Sequence, residues 1–124
     1  MIIEQTEVIV EKKFKLAAEQ IRDIATGYGA CFATDKITVE GERVRFMYRE
    51  KPDNKIDSGW RFMSGSESDA NMNDPKNHAV YDVNTIANYD PDIVPFLDAP
   101  VGSAFERPDG GRFVEAHDFD PSPN

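Results

Sequence analysis

The sequence predicts a single α+β domain, with an N-terminal helix packed on one face of a mainly antiparallel sheet. The chain has 124 residues, which suits one hydrophobic core and not two. Apolar residues recur at helical spacing near the start, and later segments alternate apolar and polar residues between turn-forming residues. We expect residues 1–116 to form this domain and residues 117–124, with two Asp and two Pro, to form a loose acidic tail.

The helix is predicted from about Glu11 to Thr26. Apolar residues recur there at steps of three and four positions, which places them on one helical face. They are Phe14, Ala17, Ala18, Ile21, Ile24 and Ala25. Gly27 follows where the pattern stops, and a residue without Cβ suits the left-handed conformation that often ends a helix.

Two turns divide the next segment into predicted strands. Residues 37–39 and 44–48 flank Glu40-Gly41 and predict a β-hairpin, because every second residue of the later run is aliphatic or aromatic. A loop of turn formers at 50–55 then leads to a further antiparallel strand that contains Trp60 and Phe62.

The second half predicts shorter elements. Residues 64–78 are rich in Gly, Ser, Asp and Asn and predict a long exposed loop. A short strand at 80–83 precedes short irregular helical turns near residues 84–98, in which Pro95 lacks the N–H that a regular helix needs. Residues 104–115 predict a final hairpin around a Pro-Asp-Gly-Gly turn.

The charge of the chain is negative and uneven. There are 23 acidic and 14 basic residues, which gives a net charge of -9. Residues 1–65 hold 11 of each sign, so the excess lies in residues 66–124, with 12 acids and 3 bases. Such a field repels phosphate backbones, so nucleic acid is not expected as a partner.

The composition also limits the cellular compartments in which the protein is expected. Cys31 is the single cysteine, so neither an intramolecular disulfide nor a multi-cysteine zinc site is possible. No apolar run is long enough to predict a membrane span, and the N-terminal stretch MIIEQTEVIV has no secretory pattern. We therefore expect a cytoplasmic protein without membrane contact.

Four separated blocks are the most specific feature of the sequence. They are MYREKP at 47–52, DSGWRF with SGSE at 57–67, NTIANYDP at 84–91 and GSAFER at 102–107. In this order they resemble the immunity protein thirty-three family of bacterial polymorphic toxin systems, over about residues 30–114. The resemblance implies a small cytosolic α+β domain that binds a cognate toxin and blocks it, and it assigns no catalytic residues.

The second block carries the most distinctive side chains, because carboxylates flank an indole on a predicted strand. An exposed Trp60 rimmed by Asp57 and Glu67 would anchor a protein interface, since Trp concentrates binding energy. The structural alternative places Trp60 in the core and Asp57 on the turn backbone. Asp69 and Asp74 lie in the following polar loop and complete the candidate partner-binding residues.

An enzyme is the alternative from a different class. Asp57, Glu67 and Asp69 would then converge in one cleft and hold a metal ion or a small molecule. The alternating oxygens at 69–73 resemble a calcium loop, but the glycine and the bidentate glutamate of such loops are missing at their positions. The interpretation as a solvated polar loop is therefore preferred.

The other reactive residue types belong to no catalytic motif. Cys31 lies in an apolar run, which suits a small buried side chain, and neither His78 nor His117 sits in a known pattern. Asp90 and Asp92 flank a proline as helix-capping acids would. We therefore predict a non-enzymatic toxin-neutralising protein without a cofactor or metal, whose acidity would suit a basic toxin. A regulatory module for another protein is a further alternative.

Overall fold

The structure is a computed structural model that describes residues 12–108 and 111–116. Six strands in this part have the bounds Ala30–Thr34 (β1), Phe46–Arg49 (β2), Asp57–Met63 (β3), His78–Asp82 (β4), Ala104–Glu106 (β5) and Val114–Glu115 (β6). The helices are Asp35–Thr38 (α1), Asp69–Asn73 (α2) and Val83–Tyr89 (α3), with 3-10 helices at Ala18–Gln20, Pro75–Asn77 and Pro91–Phe96.

The strands form one sheet in the order β4-β1-β3-β2-β5-β6. β1 runs parallel to β3, and the other four neighbouring pairs are antiparallel. Parallel neighbours need a crossover, which the chain makes through α1 and β2. The predicted α+β class is thus confirmed, and the sheet is mixed by this one parallel pair.

The core lies on one face of the sheet, between the sheet and the helices α1 and α3. Its fully buried side chains include Met47, Trp60 and Phe62 from the strands, and Ile37, Ile86, Ile93 and Leu97 from the helical side. The helix that covers the sheet is therefore α3, with α1 beside it, and not the predicted N-terminal helix.

The predicted helix from Glu11 to Thr26 is wrong for the residues that the structure describes. Residues 12–26 follow an irregular path with one 3-10 helix at Ala18–Gln20, and Glu11 lies outside the described residues. We call residues 12–27 the N-terminal strap, because they cross the helical side of the molecule.

Hydrogen bonds to α3 explain why the strap is not helical. The side-chain oxygen of Asn84 accepts from the N–H groups of Ile24 and Ala25, at 2.8 Å each, and its amide donates to the carbonyl of Arg22 at 2.8 Å. The Leu16 N–H donates to the Tyr89 hydroxyl at 3.1 Å. In a helix, these backbone groups would form hydrogen bonds with residues of the strap itself. Here they form hydrogen bonds with side chains of α3 instead, so they need no helix.

The predicted hairpin at 37–48 is also wrong. Residues 35–38 form α1, in which Ile37 is fully buried, and the Val39 N–H donates to the Asp35 carbonyl at 2.9 Å. The predicted partner of this segment, β2, has no free side, because it lies between β3 and β5 in the sheet. β2 pairs instead with β3 and β5.

The long loop predicted at 64–78 is more ordered than its composition suggests. It contains α2, where Ser68 accepts from the Asn71 N–H at 3.0 Å, and the 3-10 helix Pro75–Asn77, where Asp74 accepts from the Lys76 N–H at 3.0 Å. Such caps hold short helices that have little packing of their own. The following strand begins at position 78, earlier than predicted.

Three further predicted elements are confirmed, whereas the domain bounds of residues 1–116 stay a prediction. A strand contains Trp60 and Phe62, and the segment near 84–98 holds α3 and a 3-10 helix that includes Pro95. β5 and β6 pair as an antiparallel hairpin. The predicted tail, 117–124, lies outside the described residues.

The strap gives a first testable prediction. Asn84→Ala should lower the free energy of unfolding by about 2–3 kcal/mol, because it leaves the N–H groups of Ile24 and Ala25 without partners, at about 1 kcal/mol each, and removes one of the two side-chain amides that donate to the Arg22 carbonyl. Urea unfolding measures this difference.

The exposed Asn73, on α2, is the matched control for this prediction. Asn73→Ala should change the free energy of unfolding by less than about 0.5 kcal/mol. A loss of similar size in both variants would show that the bridge from Asn84 does not hold the strap.

Candidate functional site

The sheet face opposite the core is the candidate functional site, and we call it the open face. Val80, Phe32, Arg61 and Tyr48 follow one another across β4, β1, β3 and β2 in the register of the sheet. Side chains of a strand alternate between faces, so these four lie opposite the neighbours that enter the core. In the described part of the chain, α1 and α3 pack on the core face, and α2 reaches the open face through Met72.

A hollow of about 290 Å³ lies in the open face. Its lining is mostly aromatic and aliphatic, with one arginine, one glutamate and one histidine among the walls. The lining residues are Phe32, Ala33, Thr34, Tyr48, Glu50, Arg61, Phe62, Met63, Met72 and His78. Apolar walls with a few oriented polar groups are typical of a surface that receives a side chain or a small ligand.

A bulge in β3 brings charged groups together beside this hollow. β1 advances two residues, from Ala30 to Phe32, while β3 advances four, from Asp57 to Arg61. In a regular strand those four residues would span about 13 Å, so the bulge draws Asp57 and Arg61 close on one face. Gly59 makes it possible, since its φ is +89° and a Cβ there would clash with the Glu50 carbonyl oxygen.

Arg61 is the centre of the resulting charge cluster. Its guanidinium donates to both carboxylate oxygens of Asp57, at 3.0 and 2.9 Å, and to Glu50 at 2.5 Å. It also lies over the Phe32 ring, with 4.8 Å from the guanidinium carbon to the ring centroid. Only 5% of Arg61 is exposed, so its charge is matched by partners within the fold.

Asp57 and Arg61 stabilise each other's ionised form. The hydrogen bonds from Arg61 hold the pKa of Asp57 well below its usual range, with further help from the N–H groups of Asp53 and Gly59. Burial works against the charge of Arg61, but Asp57 and Glu50 outweigh it and raise the pKa of the guanidinium. Since Asp53 also lies 3.8 Å from Arg61, three carboxylates surround one positive charge and the cluster is net negative.

A second, smaller hollow of about 80 Å³ lies on the other side of Phe32. Ile56 and Val80 line it and are 71% and 58% exposed. Phe32 lines both hollows, so they adjoin each other on the open face. The charge cluster contributes to both, with Arg61 and Glu50 in the larger hollow and Asp53 and Asp57 in the smaller one.

Two of the candidate residues from the sequence, Trp60 and Asp57, lie on opposite faces of the sheet. Trp60 is fully buried in the core, and its indole N–H donates to the Leu97 carbonyl at 3.2 Å. This placement agrees with the structural alternative and leaves the indole no contact with a partner in the folded chain. Asp57 lies on the open face, where its carboxylate accepts from Arg61 and from the Gly59 N–H.

The other three candidates lie along the segment that follows β3. Glu67 is half-buried and accepts from the Thr34 hydroxyl and from the N–H of Ser64 at 2.8 Å. Burial opposes its charge, yet these hydrogen bonds lower its pKa, so Glu67 acts as a structural tie between β1 and β3. Asp69 and Asp74 are exposed, and Asp74 caps the following 3-10 helix.

In the described part of the chain, Asp57, Glu67 and Asp69 do not form a group that could hold a metal ion. Among residues 12–108 and 111–116, no group of three or more His, Cys, Asp or Glu side chains is placed to hold a metal ion. Cys31 is fully buried, and burial raises the pKa of its thiol, which disfavours the nucleophilic thiolate. Asp90 is also buried and is paired with Arg107 at 2.8 Å. His78 lines the larger hollow with its ring edge-on to Phe32, and His117 lies outside the described residues.

Sequence reasoning missed the apolar half of this surface. Phe32, Val80 and Ile56 belong to short segments whose facing cannot be told from the pattern alone, and Met72 lies in a polar run. One signal was present, since Phe32 alternates with the small residues Cys31 and Ala33. In a strand, that pattern places the aromatic ring and the small side chains on opposite faces.

An exposed apolar patch next to charged groups is typical of a class of protein, namely a small domain that contacts another protein. Comparison with protein family models then identifies the family within that class. The family model described as the immunity protein Imm33 domain matches residues 31–117. The chain therefore belongs to the Imm33 immunity protein domain family, as the four sequence blocks indicate.

The other comparisons add no relatives. No curated protein and no solved structure shows significant similarity to this chain. In the part of the chain that the structure describes, no helix has the length and apolar character needed to cross a membrane.

The charge cluster gives a second testable prediction. Arg61→Met should lower the free energy of unfolding by about 3 kcal/mol, because Asp57 and Glu50 would lose the partner that neutralises them. Arg22→Met, at an exposed position of the strap, should change it by less than about 0.5 kcal/mol. Equal stability of Arg61→Met and the wild type would show that the cluster does not stabilise the fold.

Acid sensitivity is a third prediction. Asp57 and Glu67 have lowered pKa values in the folded chain, so their ionised forms contribute stability that is complete above their usual values of about 4. That contribution is lost as the pH falls through the lower, folded values. Urea unfolding at a series of pH values should show a steady free energy of unfolding above about pH 5 and a progressive fall below it.

Two variants separate this effect from general acid sensitivity. Asp57→Asn should have a lower free energy of unfolding than the wild type at neutral pH. Its free energy of unfolding should also fall less on acidification, because the carboxylate whose protonation destabilises the fold is no longer present. Asp23→Asn, at an exposed position, should reproduce the wild-type pH profile. An unchanged profile in Asp57→Asn would contradict the assignment.

Proposed function

We propose that this chain is an immunity protein that binds and neutralises a cognate bacterial toxin through a protein–protein interface. One observation carries the proposal, which is the membership of residues 31–117 in the Imm33 immunity protein domain family. On this proposal, the chain covers a surface that the toxin needs for its action. It makes and breaks no covalent bond.

The packing behind the open face supports binding without rearrangement. Met47, Trp60 and Phe62 are buried at 1% exposure or less, and they support the strands from the core side. On the open face, Arg61 is tied to two carboxylates and stacks on Phe32. Side chains that are ordered before the encounter lose little conformational entropy on binding, so a surface of limited area can bind tightly.

The distribution of charge favours a basic toxin. Residues 66–124 hold 12 acids against 3 bases, and the carboxylates around Arg61 add a net negative cluster on the open face. Opposite fields accelerate the encounter of two proteins and disfavour partners of like charge. A toxin that acts on nucleic acid would suit this sign, because it needs positive charge to hold phosphate.

The geometry gives less support to the enzyme alternative. Asp57 and Glu67 are occupied by internal hydrogen bonds, and Asp69 is exposed on α2. A regulatory module for another partner would use the same open face, and the gene beside this one distinguishes the two roles. We propose the cytoplasm as the place of binding, where a chain with one buried thiol needs no oxidising environment.

Coexpression tests the proposal. Cells that express the toxin encoded beside this gene should stop growing, and coexpression of the full chain should restore growth. The two purified proteins should elute together in size-exclusion chromatography. Trp60→Asp, which places a charge in the core, is the unfolded control and should give neither result.

A titration separates binding from catalysis. If the chain acts by covering the toxin, toxin activity should fall in proportion to the added chain and reach its minimum near a fixed molar ratio. Inactivation by a small fraction of one equivalent would indicate turnover and would contradict the proposal. The absence of both growth rescue and a complex would reject it as well.

A further inference from the structure

We infer that the toxin sits on the open face, and that its contacting segment offers an apolar side chain beside a lysine or arginine. This inference rests on the proposed function and deepens it, because it names the surface and the chemistry of the partner. It moves the interface away from the exposed acids of the segment after β3, which the sequence favours.

The open face exposes large apolar side chains. Ile56, Val80 and Met72 are 71%, 58% and 38% exposed, although each is a large apolar side chain. They border the two hollows that meet at Phe32, so they form one patch and not three isolated exposures. A contiguous apolar patch next to polar groups marks an interaction site more often than scattered apolar residues do.

The shape of the patch favours an inserted side chain. The larger hollow holds about 290 Å³, near the lower end of the volumes that take small ligands, and its walls are mainly apolar. Arg61 closes its floor with every side-chain nitrogen already bonded within the fold. Four N–H groups of the guanidinium already donate to Glu50, Asp57 and the Trp60 carbonyl, so an anionic ligand would have to compete with two carboxylates, whereas an apolar side chain needs no donor.

The carboxylates around Arg61 indicate the basic residue of the partner. Asp57, Glu50 and Asp53 all lie within 4 Å of Arg61, and one guanidinium cannot balance three carboxylates. The side chain of Asp53 is 72% exposed and stands beside the smaller hollow. A lysine or arginine of the toxin placed there would meet this unbalanced negative charge at the margin of the apolar contact.

Matched substitutions of exposed isoleucines test the location. Ile56→Lys removes apolar area on the open face, whereas Ile24→Lys makes the same change on the strap, at the helical side. We expect Ile56→Lys and Val80→Lys to raise the Kd for the toxin by about 30-fold or more, as loss of an interface anchor does. Ile24→Lys should raise it by less than about threefold.

A second pair tests the charge. Asp53→Asn should slow association with the toxin several-fold at low salt, and the effect should shrink as the salt concentration rises. Asp23→Asn removes an exposed acid from the strap and should change the association rate little. Equal association rates for Asp53→Asn and the wild type would contradict the inference that the partner places a basic residue beside Asp53.

A variant enters the comparison only if urea unfolding gives it the same free energy of unfolding as the wild type. If folded Ile56→Lys and Val80→Lys bind as tightly as the wild type, or if Ile24→Lys weakens binding equally, the open face is not the interface. Those results leave the proposed function intact, whereas a wild-type chain that neither binds the toxin nor rescues growth rejects that function itself.

Two other occupants of the face would also overturn the inference. A concentration-dependent dimer that Val80→Lys dissociates would assign the face to a second copy of the chain. Toxin binding that tightens when residues 1–11 are removed would assign it to the chain's own N-terminal segment.

Discussion

The neutralisation of Arg61 is the constraint on which the open face depends. A guanidinium in the middle of a sheet face would bind water and leave no apolar surface around it. Here Asp57 and Glu50 accept its hydrogen bonds and Phe32 covers it, so the charge is satisfied inside the fold. The neighbouring aromatic and aliphatic side chains can then form hollows that stay apolar.

The same strand serves two purposes because its residues face two ways. In β3, Trp60 and Phe62 enter the core while Arg61 between them organises the open face. The bulge at Gly59 joins these roles, since it draws Asp57 close enough to hold the guanidinium. The block DSGWRF therefore combines core packing, backbone geometry and surface charge in six consecutive residues.

A surface built this way suits an inhibitor that works by contact. Its apolar area supplies affinity, the unbalanced carboxylates around Arg61 supply orientation, and the packed sheet behind it keeps both in place. The exposed acids Asp69 and Asp74 lie on short capped helices with little packing, so they are less suited to hold a partner rigidly. The Imm33 family membership of residues 31–117 and the chemistry of this surface both support the proposed function.

The sequence by itself determined the α+β class, the strand around Trp60, the irregular turns near 84–98, the final hairpin and the family, because these follow from short-range patterns. Tertiary structure decided the rest. The strap has a helical pattern, yet Asn84, 60 residues away from Ile24, binds its backbone. Ile37 enters the core on α1, and β2, its predicted hairpin partner, pairs on both sides with other strands. The open face was equally hidden, since which side of a strand meets the helices depends on pairing partners and on a bulge, and no local pattern records either.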